Sequence, residues 1–318
     1  MNAPPHARVE VLIPHRDRAE SLARTLASLG AQTQRPAVCV VDNASSDGTL
    51  PMLEQRFPEV RVVPLDRNHG FGAALNRGVA TSEAELVVFL NNDAVAGPDF
   101  VRVLVEERDR SGADMVAGCL ISPDGRVETL GVGVDRALAA FDLGFGLAGP
   151  ADYRGPPPLG PSGGAALYER AAFERVGGFD EAIFAYLEDV DLALRMRLAG
   201  FDCALAGGAV AVHEHSATLG ARSRAKNELM AFARSHLLWK YGRALRPAQR
   251  FRATVTDAII IGGKVVIDRD LGSIAGVRRA RRARRGAPRP PAPASFARLP
   301  LLEIGFRESL RRRLARRR

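Results

Sequence analysis

Short, largely apolar runs alternate with amphipathic stretches over the first 120 residues. Val9 to Pro14, Ala37 to Val41, Val60 to Leu65, Leu86 to Leu90 and Met115 to Leu120 are each bounded by polar turns, the pattern of strands covered on both faces. Between them, Arg18 to Leu29 sets Ala19, Leu22, Leu26 and Leu29 on one helical face. Thr49 to Arg56, Gly72 to Thr81 and Pro98 to Ser111 supply the remaining crossovers. Strict alternation predicts an α/β fold with a mostly parallel sheet and right-handed connections. After residue 120 the pattern loosens. Residues 122–160 are rich in Gly and Pro with short β-like pieces, as expected of a loop region over a site. Helices are expected at Arg170 to Val176, Asp189 to Ala199 and over 223–242, and a short strand at Val210 to Val212. No internal repeat is present.

Two of the strands end in polar clusters: Asp42-Asn43-Ala44-Ser45-Ser46-Asp47-Gly48 follows the second, and Asn91-Asn92-Asp93 follows the fourth. Ligands of open α/β sheets bind at the carboxyl edge, so Asp42 and Asp93 are delivered to one place. Asp47 reads as a helix N-cap. Further on, Glu188-Asp189-Val190-Asp191 crowds three carboxylates among apolar neighbours at a loop-to-helix junction. Partly shielded carboxylates hold raised pKa values and can act as a base near neutral pH. The same residues also suit a helix start, with Glu188 and Asp189 at the positive end and Asp191 paired with Arg195 at i,i+4. Gly70-Phe71-Gly72 superficially matches a dinucleotide fingerprint. Four residues, Asp66 to His69, separate it from its strand where a tight turn is required, which argues against NAD.

A chain of 318 residues accommodates one domain of about 200 to 250 residues plus an appendage. Cys39, Cys119 and Cys203 stand singly without metal-type spacing, which fits a reduced, cytoplasmic protein. Met1 to Arg8 lacks the apolar core of a signal peptide, and no uncharged apolar run reaches the roughly 18 residues of a membrane span. The net charge of +9 is unevenly spread: fifteen Arg against two Glu between 278 and 318 give that segment +13 and leave −4 for the rest. With Pro288, Pro290, Pro291 and Pro293 inside it, the segment is expected to lack regular structure or to lie on an anionic membrane. Leu299, Leu301, Leu302, Ile304, Phe306 and Leu310 would form the apolar face of such a surface helix. An alternative, nucleic-acid binding through this tail, is disfavoured by an acidic body and few interleaved aromatics.

From about Val9 to Thr218 the ordered motifs together resemble the family 2 glycosyltransferases of GT-A fold, in particular their rhamnosyltransferase-like branch. They are Val9 to Pro14, Val41 to Thr49, Asn68 to Gly78, Leu90 to Asp93, Gly177 to Glu181, the Glu188-Asp189-Val190-Asp191 cluster with Arg195, and His213. Two departures stand out: His15-Arg16-Asp17 replaces the commoner turn after the first strand, and Asn91-Asn92-Asp93 replaces Asp-x-Asp.

The resemblance implies a GT-A domain over 1–220, a helical region over 221–277 and the Arg-rich tail over 278–318. It implies an inverting transfer from a nucleoside diphosphate sugar, with dTDP-rhamnose as first candidate, to a glycan or lipid-linked acceptor. A small-molecule aglycone is the alternative acceptor. In that scheme Asp93 and His213 hold Mn²⁺ or Mg²⁺, with His215 behind them. Asp189 is the general base and Glu188 tunes it. Asp42 reads the nucleobase, Asn91 and Asn92 the ribose or phosphate, and Pro14, Asn68, Gly70, Phe71 and Asn76 shape the donor pocket. Gly163 and Gly164, together with Asp191 and Arg195, face the acceptor. The Gln-x-x-Arg-Trp motif of processive relatives is absent, so a single addition is expected. The expected location is cytoplasmic, at the inner face of the plasma membrane.

Overall fold

In the computed structural model, which describes residues 8–214, 223–291, 293, 296 and 299–315, the chain opens with four parallel strands. β1 (Val9–His15), β2 (Ala37–Asp42), β3 (Arg61–Pro64) and β4 (Leu86–Leu90) lie in the order β3-β2-β1-β4. They are connected by α1 (Ala19–Gly30), α2 (Thr49–Arg56) and α3 (Phe71–Ala80). The register sets His15 opposite Asp42 and Asp42 opposite Pro64, so the carboxyl ends share one edge. Alternation along β1 divides the core: Val9, Val11 and Ile13 pack with Leu22, Val88 and Phe100 on one face, and Leu12 packs with Phe89, Tyr168 and Phe173 on the other.

Beyond β4 the sheet is mixed. The chain continues through β5 (Ala94–Ala96), α4 (Phe100–Ser111), β6 (Met115–Ile121), β7 (Val127–Thr129), β8 (Val132–Val134) and β9 (Ala140–Asp142). β10 (Ala165–Glu169), α5 (Arg170–Arg175), α6 (Glu188–Leu198) and β11 (Cys203–His213) follow. β10 enters antiparallel between β4 and β6, β11 runs parallel to β6, and β5 closes the far edge antiparallel to β11. β5 and β10 carry no sequence signal, because small residues such as Ala94, Ala96, Ala165 and Ala166 have weak strand preference and only their neighbours fix them. β11 spans eleven residues where only Val210 to Val212 was legible. Gly207 and Gly208 interrupt its apolar run at the point where the register shifts.

The C-terminal region is helical: α7 (Arg224–Tyr241), α8 (Pro247–Val266), α9 (Gly272–Ala283) and α10 (Phe306–Ala315). α7 and α9 approach so closely that a Cβ on Gly276 would lie 2.1 Å from the Glu228 carbonyl oxygen. The expectation that the tail lacks regular structure needs correction. Arg278 to Ala283 are helical in α9, and the prolines fall between α9 and α10, where they interrupt neither. Phe296 and Leu299 are buried against Leu237, Tyr241 and Leu194, while Leu302 and Ile304 pack on Phe141 and Leu143. Leu299 and Leu302, packed on the body, are withdrawn from the expected apolar stripe, whereas Phe306 remains exposed. No described helix is long and apolar enough to cross a membrane.

Candidate active site

The strand ends present their polar clusters as the topology requires. β1 ends in His15, buried, one residue after Pro14, which pairs with Val41 inside the sheet. The Asn92 side-chain amide contacts His15 Nδ1 at 2.8 Å, and Nε2 lies 3.0 Å from the Thr49 hydroxyl. Burial lowers the His15 pKa despite nearby Asp42, Asp47 and Asp17, so the ring is neutral, accepting at Nδ1 and donating at Nε2. Asn92, expected at the donor, is therefore turned toward the β1 end. Asp47 accepts from the Ala19 and Thr49 amides and so serves the starts of both α1 and α2. Asp42 is buried and accepts from the Ser45 amide and hydroxyl. Nucleobase recognition would have to share those oxygens.

The 68–71 turn is held from two sides. Asn43 accepts from the His69 amide and donates to the Gly70 carbonyl, and the Asn68 side chain accepts from the Gly70 amide at 2.9 Å. Gly70 has φ 91° and a Cβ there would stand 2.3 Å from the Phe184 carbonyl oxygen, the same oxygen that accepts from the Phe71 amide. Asn43 has a positioning role that sequence reading left unassigned although it lies within a quoted motif. The Asn76 side-chain amide donates to the Phe179 carbonyl and its oxygen accepts from the Phe179 amide, so it fastens the 178–179 turn.

A cation site is fitted by the pair at the end of β4 and β11. His213 Nε2 lies 3.0 Å from Asp93 Oδ1, and Nδ1 lies 2.9 Å from Glu128 Oε2. Burial works against a charged ring here, but the bonds to Asp93 and Glu128 outweigh it and push the pKa up to about 9. With the proton displaced from Nε2 by an incoming cation, the carboxylate and imidazole, with a second carboxylate orienting the far nitrogen, would make a donor set suited to Mn²⁺. Among the described residues no cluster of three His, Cys, Asp or Glu ligands forms, so the rest of such a shell would fall to diphosphate oxygens and water. Glu128 was missed because it lies 85 residues from its partner in a three-residue strand. His215 lies outside the described residues.

The carboxylate cluster opens α6. Tyr186 and Leu187 both have positive φ, 67° and 64°, a strained pair that sets Glu188 and Asp189 at the helix start. Asp189 Oδ1 accepts from the Val190 amide at 2.8 Å and Oδ2 from the Gly163 amide at 3.3 Å. Glu188 is buried and its Oε2 has no hydrogen-bond partner. Burial raises the pKa of both, and Asp189 raises Glu188 further. Phe71 packs directly beneath Gly163, and Gly164 is wedged against the Asn91 side chain while accepting from the Asn91 amide. Asn91 Nδ2 in turn lies 3.3 Å from His213 Nε2. The Gly163-Gly164 turn thus joins the Asp189 carboxylate to the Asp93–His213 pair.

Asp191 and Arg195 do not reach this space. Asp191 is fully buried, with Arg195 Nε at 2.8 Å on one oxygen and Tyr241 Oη and Lys240 Nζ on the other. Arg195 also donates to the Val176 carbonyl. Through these bonds the two residues, expected at the acceptor, fasten α6 to α7. Tyr241 and Lys240 carried no local signal, since their partners lie about fifty residues upstream.

A model of glycosyl transferase family 2 matches residues 10–177. The chain belongs to that family. A curated relative, N-acetylglucosaminyl-diphospho-decaprenol L-rhamnosyltransferase of Mycobacterium tuberculosis, is 34% identical over 229 residues, covering 63% of this chain and 73% of its own. Among solved structures, mannosyltransferase PcManGT from Pyrobaculum calidifontis, in complex with GDP-Man and Mn²⁺, aligns with TM-score 0.53 at 20% identity over 88% of this chain and 76% of its own. GalNAc-T7 with UDP, GalNAc and Mn²⁺ aligns with TM-score 0.62 at 12% identity over 86% of this chain and 54% of its own. The sheet with its appended helices is the GT-A fold, and membership of family 2 makes the protein a glycosyltransferase.

Proposed function

We propose that this glycosyltransferase adds one sugar, rhamnose in the first instance, from a nucleoside diphosphate donor to a hydroxyl of a glycan or lipid-linked acceptor, with inversion at the anomeric carbon. The support for the sugar and the acceptor type is the likeness to the decaprenol-linked rhamnosyltransferase. The support for the chemistry is the Gly163-Gly164 turn, which holds a base carboxylate on one side and a diphosphate-side pair on the other. Inversion requires the acceptor oxygen to attack from the face opposite the departing diphosphate while a base takes its proton. Asp189 is that base. Its two N–H donors favour the ionised form, whereas Glu188, deeper and with an unpartnered oxygen, keeps the proton the pair shares. Asp93 and His213 would hold Mn²⁺, or Mg²⁺ less well, where it neutralises charge growing on the leaving group.

The test is Asp189→Asn with a competent acceptor. Transfer should fall by about 10²- to 10⁴-fold while nucleotide binding stays nearly intact, and NMR of the product made by the parent enzyme should show the inverted anomer. Unchanged transfer in Asp189→Asn would remove it from the mechanism.

A further inference from the structure

α8 is amphipathic in the reverse sense of a water-facing helix. Its charged residues turn inward: Arg252 pairs with the buried Asp135, Asp257 with Arg234 and Arg313, and Lys264 bonds Asn227. Past its first turn, where Arg250 is exposed, its outward positions carry no charge. Phe251 is 73% exposed and Val266 78%, with Ala258, Ile259 and Gly262 exposed between them and Ile267 continuing the row just past the helix. The spacing keeps them on one face, a stripe about 24 Å long at 1.5 Å per residue. Exposed large apolar residues in line mark a contact surface.

At the stripe's amino-terminal end lies a cavity of about 180 Å³ lined by Arg243, Arg250 and Arg289 together with Leu238, Leu245 and Thr254. Burial and the charges of Arg243 and Arg250 lower the Arg289 pKa, and no carboxylate among the described residues pairs with any of the three. Three guanidinium groups crowded without a counter-charge are built for an anion. Arg246, also exposed, stands beside them.

We propose that α8 is a membrane-contact element that lies along an anionic bilayer, its apolar stripe entering the headgroup boundary and its arginine pocket taking a lipid phosphate. An apolar face continuous with a basic one is the pattern of interfacial helices. The exposed Arg243, Arg246 and Arg250 at the helix start, with Arg289 beside them, favour an anionic surface over a second copy of this chain, which would set like charges against each other. The inference deepens the lipid-linked acceptor reading and rests on it for its purpose, not for its measurement. It also moves the contact from the tail, where Leu299 and Leu302 are buried, to a helix whose sequence carried no such signal.

The experiment is vesicle flotation of the full chain with phosphatidylcholine alone and with added phosphatidylglycerol. Binding should require the anionic lipid and weaken with salt. Phe251→Ser with Ile259→Ser should cost at least about tenfold. Arg243→Gln and Arg250→Gln should cost about fivefold each, while Arg311→Gln in α10 should change binding less than about twofold, because Arg311 already pairs with Glu308. In Phe251→Trp, brominated acyl chains should quench emission beyond that of the single native tryptophan, Trp239. Circular dichroism and transfer to a water-soluble acceptor should be unchanged, which separates lost contact from lost fold. No vesicle binding, equal binding by the serine variant, or a dimer in light scattering that the serine substitutions dissolve would overturn the proposal. Lost transfer with retained vesicle binding would instead count against the functional reading alone.

Discussion

Glu188 and Asp189 are adjacent in sequence and opposite in circumstance. Burial first, and Asp189 second, hold the Glu188 carboxyl above the ordinary glutamate value of 4.5. The folded protein therefore keeps a proton that the unfolded chain has lost, and stability falls as pH rises from the ordinary value toward the raised one. Glu188→Gln, which cannot ionise, should flatten that decline in thermal midpoint between mildly acidic and alkaline pH. An equally steep decline in the variant would mean that Glu188 is ionised in the fold. Asp93→Ala should weaken nucleoside diphosphate binding by calorimetry when Mn²⁺ is present and hardly at all in EDTA, if the Asp93–His213 pair holds the ion as proposed. Gly70→Ala tests backbone geometry. A methyl 2.3 Å from the Phe184 carbonyl oxygen, at φ 91°, should cost about 1–3 kcal/mol and disturb the turn under the donor.

At the scale of elements, the joint between α6 and α7 decides how firmly the base is held. Asp191, Arg195, Lys240 and Tyr241 form a buried network, and Asp180 joins it through Lys240 and His236. Burial disfavours the Asp180 carboxylate, but its bonds to His236 and Lys240 prevail and hold its pKa well below the usual range. That stability is complete above the ordinary aspartate value and is lost as pH falls toward the depressed one. Removing one partner of a buried pair leaves the other charge uncompensated, so Asp191→Ala should cost about 3–5 kcal/mol. Tyr241→Phe should cost about 1–3 kcal/mol. Urea unfolding with an unchanged slope would read both. A cost below 1 kcal/mol for Asp191→Ala would show that the network is incidental.

Across the whole molecule, the chain after α9 returns to the body, with Phe296 and Leu299 in one cluster, Leu302 in another, and Arg252 bonding the Ile304 carbonyl. Truncation after Pro290 should therefore lower the thermal midpoint by several degrees, where a solvated tail would leave it unchanged. The sequence by itself determined the elements whose apolar period is local and uninterrupted. β1 to β4, α1 to α4 and the start of α6 needed only neighbouring residues to be recognised, and with them came the strand-end positions of Asp42 and Asp93 and the crowding at Glu188. It also carried the family's motifs in order, and so the reaction class. Tertiary structure decided whatever depends on partners far along the chain. β10 is a strand because β4 and β6 flank it, Glu128 meets His213 across 85 residues, and Asp191 is buried only because Tyr241 and Lys240 close over it. The tail follows the same rule. Its charge is written in composition, but whether its leucines meet lipid or protein depends on the surface left open by α7, β8 and β9, which no local pattern encodes.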